Sequence, residues 1–158
     1  MSVIQYFPYD HLDVTVGIYK NRVLQTGNDE ITLYELRMSH PYKQKVIDAD
    51  ALHSIEHLCL QYIYDRKMQN ENVLFFGTMS CRTGCILIVQ NMSTSDVVKL
   101  IEEMFQYAAD FEGELPLLRM SDCGNIYGHD PLQAREEAAR YLAVLKSNPQ
   151  GNCSYYNS

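Results

Sequence analysis

Two histidines and a glutamate interrupt the most apolar helical pattern in the chain. Over residues 50–68, Leu52, Ile55, Leu58, Cys59, Tyr62 and Ile63 recur at helical spacing, so this segment is expected to bury one face in a core. Within it, His53 and His57 stand at i and i+4, one turn apart on one face of the helix. Such a helix constrains the fold, because it must pack deeply while its two imidazoles keep access to a shared point. Glu56, one residue before His57, can reach the space beside that point. Asp48 or Asp50 is placed to cap the helix start.

The rest of the chain reads as strands and two further helices. Residues 12–19 partly alternate and are rich in β-formers. The turn signal Thr26-Gly27-Asn28-Asp29 precedes a second strand over 31–38, which Pro41 ends. Two short apolar runs, Val73–Phe76 and Cys85–Val89, flank the glycine-bounded loop from Gly77 to Gly84. A helix beginning at Ser93, Thr94 or Ser95 runs to about Phe111, with Val97, Val98, Ile101, Met104, Phe105 and Ala108 inward. Asp130-Pro131 opens another, with Gln133 in capping-box position, reaching about Lys146. The tail from Gly151 is expected to be loose. Strands and helices do not alternate as βαβ units. The expected class is α+β, a mostly antiparallel sheet with helices packed on one face, in a single domain spanning 1–158.

Composition narrows the function. A chain of 158 residues with net charge −7 lacks the basic footprint that nucleic acid or an anionic membrane requires. No apolar run is long enough to span a bilayer, and the start of the chain carries no secretory pattern, so a cytoplasmic location is expected. The five cysteines, Cys59, Cys81, Cys85, Cys123 and Cys153, then suggest metal binding or catalysis rather than a disulfide framework. Cys59, inside the apolar helical pattern, reads as a small buried hydrophobe.

The chemistry centres on His53-Ser54-Ile55-Glu56-His57. Its order, H-x-x-E-H, is that of the inverted zincins. With an acidic neighbour inside an apolar helix, metal binding is a better reading than two solvated histidines. A catalytic ion usually takes three protein ligands and keeps one position open. Cys81, Cys85, Cys123, His129 and His11 are the candidates for the third. Cys123 lies in Ser121-Asp-Cys-Gly-Asn125, a loop with little packing reason for a cysteine. Cys81, beside Arg82, is placed for a lowered thiol pKa and for proton transfer.

These residues fall in one order: H-x-x-E-H, then M-x-C-R-T-G over Met79–Gly84, then Cys123-Gly124 and His129-Asp130. That order resembles the S-ribosylhomocysteine lyases, the autoinducer-2 synthases. Asp10-His11 matches the family's L-D-H, and Arg37 precedes Pro41-Tyr-Lys-Gln44 as the family's I-R precedes P-x-K-Q. The resemblance implies that His53, His57 and Cys123 hold a metal, Fe(II) natively and often Zn or Co in preparations. It implies Cys81 and Glu56 as the acid–base pair and His11 and Arg37 as substrate-holding residues. It further implies a homodimer and conversion of S-ribosylhomocysteine to homocysteine and 4,5-dihydroxy-2,3-pentanedione. Two positions depart from the pattern. Phe75 stands where the family has aspartate, and Tyr6 where a serine is usual. Both family positions help shape the substrate pocket, so this is a divergent member. An inverted-zincin peptidase and a catalytically altered or inactive metal-binding homologue are the alternatives.

Overall fold

The computed structural model describes residues 9–66, 71–147 and 154–155. Five strands and three helices follow in the order β1 (Gly17–Thr26), β2 (Asp29–Arg37), α1 (Ala49–Asp65), β3 (Val73–Thr78), β4 (Gly84–Gln90), α2 (Thr94–Asp110), α3 (Pro131–Ser147) and β5 (Ser154–Tyr155). The sheet runs β3-β4-β2-β1-β5. Its four long strands are antiparallel, and β5 joins β1 in parallel through Tyr19–Ser154 and Lys20–Tyr155. The expected α+β class is observed.

Local chemistry explains most element ends. Thr26 pairs with Asp29 across a two-residue loop whose first member, Gly27, has φ 64°, as a primed hairpin turn requires. Ser93 caps α2 by accepting from the Asp96 N–H at 3.1 Å. Asp130 caps α3 by accepting from the Gln133 N–H at 3.0 Å. Asp48 holds the N-cap position of α1 without a side-chain bond, and α1 ends at Asp65, with Arg66 its C-cap.

Two expectations shift. The first strand lies at 17–26 rather than 12–19. Residues 20–26 are half-buried or exposed and show no apolar alternation, and it is the hairpin that defines them as strand. In the tail expected to be loose, Ser154–Tyr155 pair with β1, whose outer edge would otherwise present unpaired backbone groups. The other tail residues, Cys153 among them, and Tyr6 lie outside the described residues.

The helices cover one face of the sheet. Tyr34, Leu36, Cys85, Leu87 and Val89 are buried there with Ile55, Leu58 and Cys59 of α1, Ile101 and Phe105 of α2, and Ala138 and Tyr141 of α3. Cys59 is fully buried, as its helical position predicts. The opposite face is different. The register sets Leu24 beside Ile31, Leu33 beside Ile88, and Ile88 beside Phe75. Ile31, Leu33, Ile86 and Ile88 are only half-buried, and Leu24 and Phe75 are exposed.

Candidate active site

Helix α1 and the loop between α2 and α3 build the cluster. His53 and His57 project from α1, and Cys123 and His129 come from the loop. One ligand atom from each of the four lies within 4.8 Å of every other. The loop is tied to the helix by the Asp130 N–H, which donates to the Asp50 carbonyl and to Ser54 Oγ.

Hydrogen bonds set the direction of the imidazoles. His53 Nδ1 lies 2.9 Å from the Gly128 carbonyl, and His57 Nδ1 lies 2.8 Å from that of Pro116. A carbonyl only accepts, so each Nδ1 carries the proton and each Nε2 offers a lone pair. Histidine ligands are commonly oriented this way by their second nitrogen. His53 Nε2 lies 3.4 Å from Cys123 Sγ. A tetrahedral ion with bonds of about 2.05 Å to nitrogen and 2.3 Å to sulfur would hold those two atoms about 3.6 Å apart. The donor set and its spacing therefore fit a transition metal.

His129, one of the residues considered for the third ligand, joins the cluster, with Nε2 3.7 Å from Cys123 Sγ. Ring geometry limits how the three histidines can combine. The His53 and His57 rings are nearly perpendicular, 86° apart, which lets both point their lone pairs at one ion. The His129 ring stacks on His53 at 3.9 Å and only 28°. Near-parallel stacked rings cannot both aim in-plane lone pairs at one nearby point. At most one of the stacked pair His53 and His129 therefore shares an ion with His57 and Cys123, and the His57 ring stands at a steep angle to both, 86° and 67°. Burial, with lesser contributions from His53 and His57, lowers the His129 pKa to about 4, so its ring is neutral at neutral pH.

Cys81 lines a cavity that none of the four cluster residues lines. It lies in the turn after β3, where the Met79 N–H donates to the Gly84 carbonyl and Arg82 takes φ 60°. The turn is pinned on β2: a side-chain carbon on Gly84 would sit 2.0 Å from the Leu36 carbonyl oxygen, so only glycine allows this approach. Cys81 is exposed and lines a cavity of about 220 Å³ with His11, Pro41, Tyr42, Gln44, Val46 and Thr83. A larger cavity, about 840 Å³, lies elsewhere, along the C-terminal halves of α1 and α2, and among the described residues no histidine or cysteine lines it.

Glu56 lies beside β3. A side-chain carbon built on Gly77 would be 3.5 Å from Glu56 Oε1 and 2.5 Å from the Phe75 ring, so Phe75 covers that glycine next to the carboxylate. Cys85, considered as a ligand, is fully buried on β4, and burial raises its thiol pKa far above the ordinary value. Arg37 lies beneath the cavity rather than on its wall. It is 1% exposed, and its guanidinium donates to Glu35 Oε2, Tyr9 Oη and Thr83 Oγ1. Thr83, Glu35 and Ser54 carry no site signal of their own in the sequence. Only the R-T-G triplet around Thr83 was visible.

The family model described as S-Ribosylhomocysteinase (LuxS) matches residues 4–151. The chain belongs to this family. Among its curated relatives, the S-ribosylhomocysteine lyase of Phocaeicola vulgatus is 35% identical, covering 98% of both chains. The S-ribosylhomocysteine lyases of Porphyromonas gingivalis and Finegoldia magna are 34% and 35% identical, each over 98% of this chain and 99% of the relative. His53, His57 and Cys123, the ligands that the resemblance implies, lie together with His129 in the cluster, and Phe75 stands beside Glu56.

Proposed function

We propose that this chain is a metal-dependent carbon–sulfur lyase that cleaves the thioether of S-ribosylhomocysteine, releasing homocysteine and 4,5-dihydroxy-2,3-pentanedione. The observation that carries this reading is the convergence of His53, His57 and Cys123 in a chain of the LuxS family. When bound there, the ion supplies Lewis acidity toward a sugar carbonyl. Mixed nitrogen and sulfur donors suit Fe(II), Co(II) and Zn(II) alike. Fe(II) is the ion inferred from the resemblance.

In this reading Cys81 removes and returns protons on carbon, while Glu56 carries protons between the sugar oxygens. The carbonyl thereby moves from C1 to C2 and then to C3 of the ribose. Loss of the C4 proton then expels the sulfur from C5 by β-elimination, and the departing thiolate takes up a proton. Substrate and products balance without oxidant or reductant. His11, on the Cys81 cavity, contacts the substrate, and Arg37 supports that cavity from below. The enzyme works in the cytoplasm as a homodimer. The half-buried apolar strip on the open sheet face, with Leu33, Ile86 and Ile88, supports a second copy packing there.

The test is release of free thiol from S-ribosylhomocysteine. Cys81→Ala and Glu56→Gln should keep the metal and each lose about 10²-fold or more in turnover, the usual contribution of a general acid or base. Cys81→Ala at the parent rate would remove its role. A second reading, a homologue with altered turnover, draws on Phe75 beside Glu56. It predicts a parent protein that binds metal and releases no thiol.

A further inference from the structure

Thr83 stands between Arg37 and Cys81. Its Oγ1 lies 2.7 Å from Arg37 Nη1 and 3.1 Å from Cys81 Sγ. A guanidinium N–H only donates, so Thr83 Oγ1 must accept from Arg37. The hydroxyl keeps one proton, and Cys81 Sγ lies within its reach as an acceptor. A thiolate is a far better acceptor than a thiol, so this arrangement acts on the ionisation of Cys81.

The hydroxyl is held in place on every side. Thr83 is 4% exposed, and its carbonyl accepts from the N–H groups of Met38 and Ser39 at 2.9 and 3.0 Å. The Arg37 guanidinium is fixed in turn by Glu35 and by Tyr9, whose own hydroxyl donates to Glu35. The buried Arg37–Glu35 ion pair thus lies one hydroxyl away from an exposed thiol.

We propose that Thr83 is a positioning residue for Cys81, donating its hydroxyl proton to the sulfur so that the thiolate is the favoured form. The inference rests on the proton-carrier role given to Cys81 above, and it adds the group that prepares that residue. Among the described residues, the other titratable or charged groups around the sulfur are His11 and Tyr42 on the cavity wall, Arg82 next in the chain, and Arg37 with its partner Glu35 behind Thr83. Replacing Thr83 leaves all of them in the sequence.

The experiment reads the sulfur directly and needs no turnover. Metal-loaded parent, Thr83→Val, Thr83→Ala and Thr83→Ser are treated with limiting iodoacetamide across about pH 5 to 9, and alkylation of the Cys81 peptide is followed by mass spectrometry. Thr83→Val keeps the shape and removes the donor. Its Cys81 should alkylate at least about tenfold more slowly on the acid side of its midpoint, and the midpoint should rise by about one unit. Thr83→Ala should follow Thr83→Val, which keeps the test valid if one of the two folds poorly. Thr83→Ser, which retains the hydroxyl, should follow the parent. A parent midpoint at the ordinary thiol value of about 8.5 would overturn the proposal. So would a Thr83→Val profile superimposable on the parent, or a Thr83→Ser profile matching Thr83→Val. Failure of the lyase reading would appear separately, as absent turnover with the alkylation profiles intact.

Discussion

Replacing Arg37 by methionine should destabilise the fold far more than a loss of substrate contact would explain. Arg37 and Glu35 form an ion pair at 2.6 Å with side chains 2% and 5% exposed. Removing one member of such a pair strands the other charge in a dry site, at a cost of about 3–5 kcal/mol. Glu35 would keep two neutral donors, the Tyr9 hydroxyl and the Asn21 amide, which places the expected loss near about 3 kcal/mol. A domain of this kind has about 5–15 kcal/mol in total. With a urea slope of about 2 kcal/mol per molar, the midpoint should fall by about 1.5 M. The chain has no tryptophan, so unfolding is best followed by circular dichroism, at one fixed protein concentration. Adding Glu35→Gln to the same chain removes the stranded charge and should recover most of the loss. A single Arg37→Met variant within about 0.5 M of the parent, or a double variant no better than the single, would refute the reasoning.

Two further outcomes are expected. Purified protein should carry about one transition metal per chain by elemental analysis, and Cys123→Ala should lose most of it, since two histidines alone leave the ion largely to water; full retention would remove Cys123 from the ligand set. Light scattering at micromolar concentration should give a dimer, and Leu33→Lys on the open sheet face should shift it toward monomer while the circular dichroism spectrum stays that of the parent.

Much of this molecule was legible in its sequence wherever the signal was local. The helix carrying His53 and His57 follows from spacing alone, and the caps at Ser93 and Asp130 follow from single residues that accept backbone protons. Gly27 similarly announces the hairpin. The outer half of β1 was not legible, because a strand exposed on both faces carries no alternation. On the residues alone the third ligand stayed open among Cys81, Cys85, Cys123, His129 and His11, and only the family resemblance picked Cys123, because the cluster joins residues some 70 positions apart. Arg37 shows the same limit. Its motif position suggested a substrate contact, whereas its burial depends on Glu35, Tyr9 and Thr83 meeting around it. Thr83 had no signal beyond its place in a triplet, because a hydroxyl gains a role only from the two groups on either side of it.

Cleavage of the carbon–sulfur bond should depend on the metal that His53, His57 and Cys123 are proposed to hold. The most direct measurement is product formation by nuclear magnetic resonance, with S-ribosylhomocysteine incubated with metal-loaded protein, with chelator-stripped protein, and with stripped protein reloaded with Fe(II) or Co(II). Homocysteine and the five-carbon dicarbonyl should form in equal amounts from loaded and reloaded protein, and neither from stripped protein. Equal product from stripped and loaded protein, or loaded protein that leaves the thioether intact, would contradict that expectation.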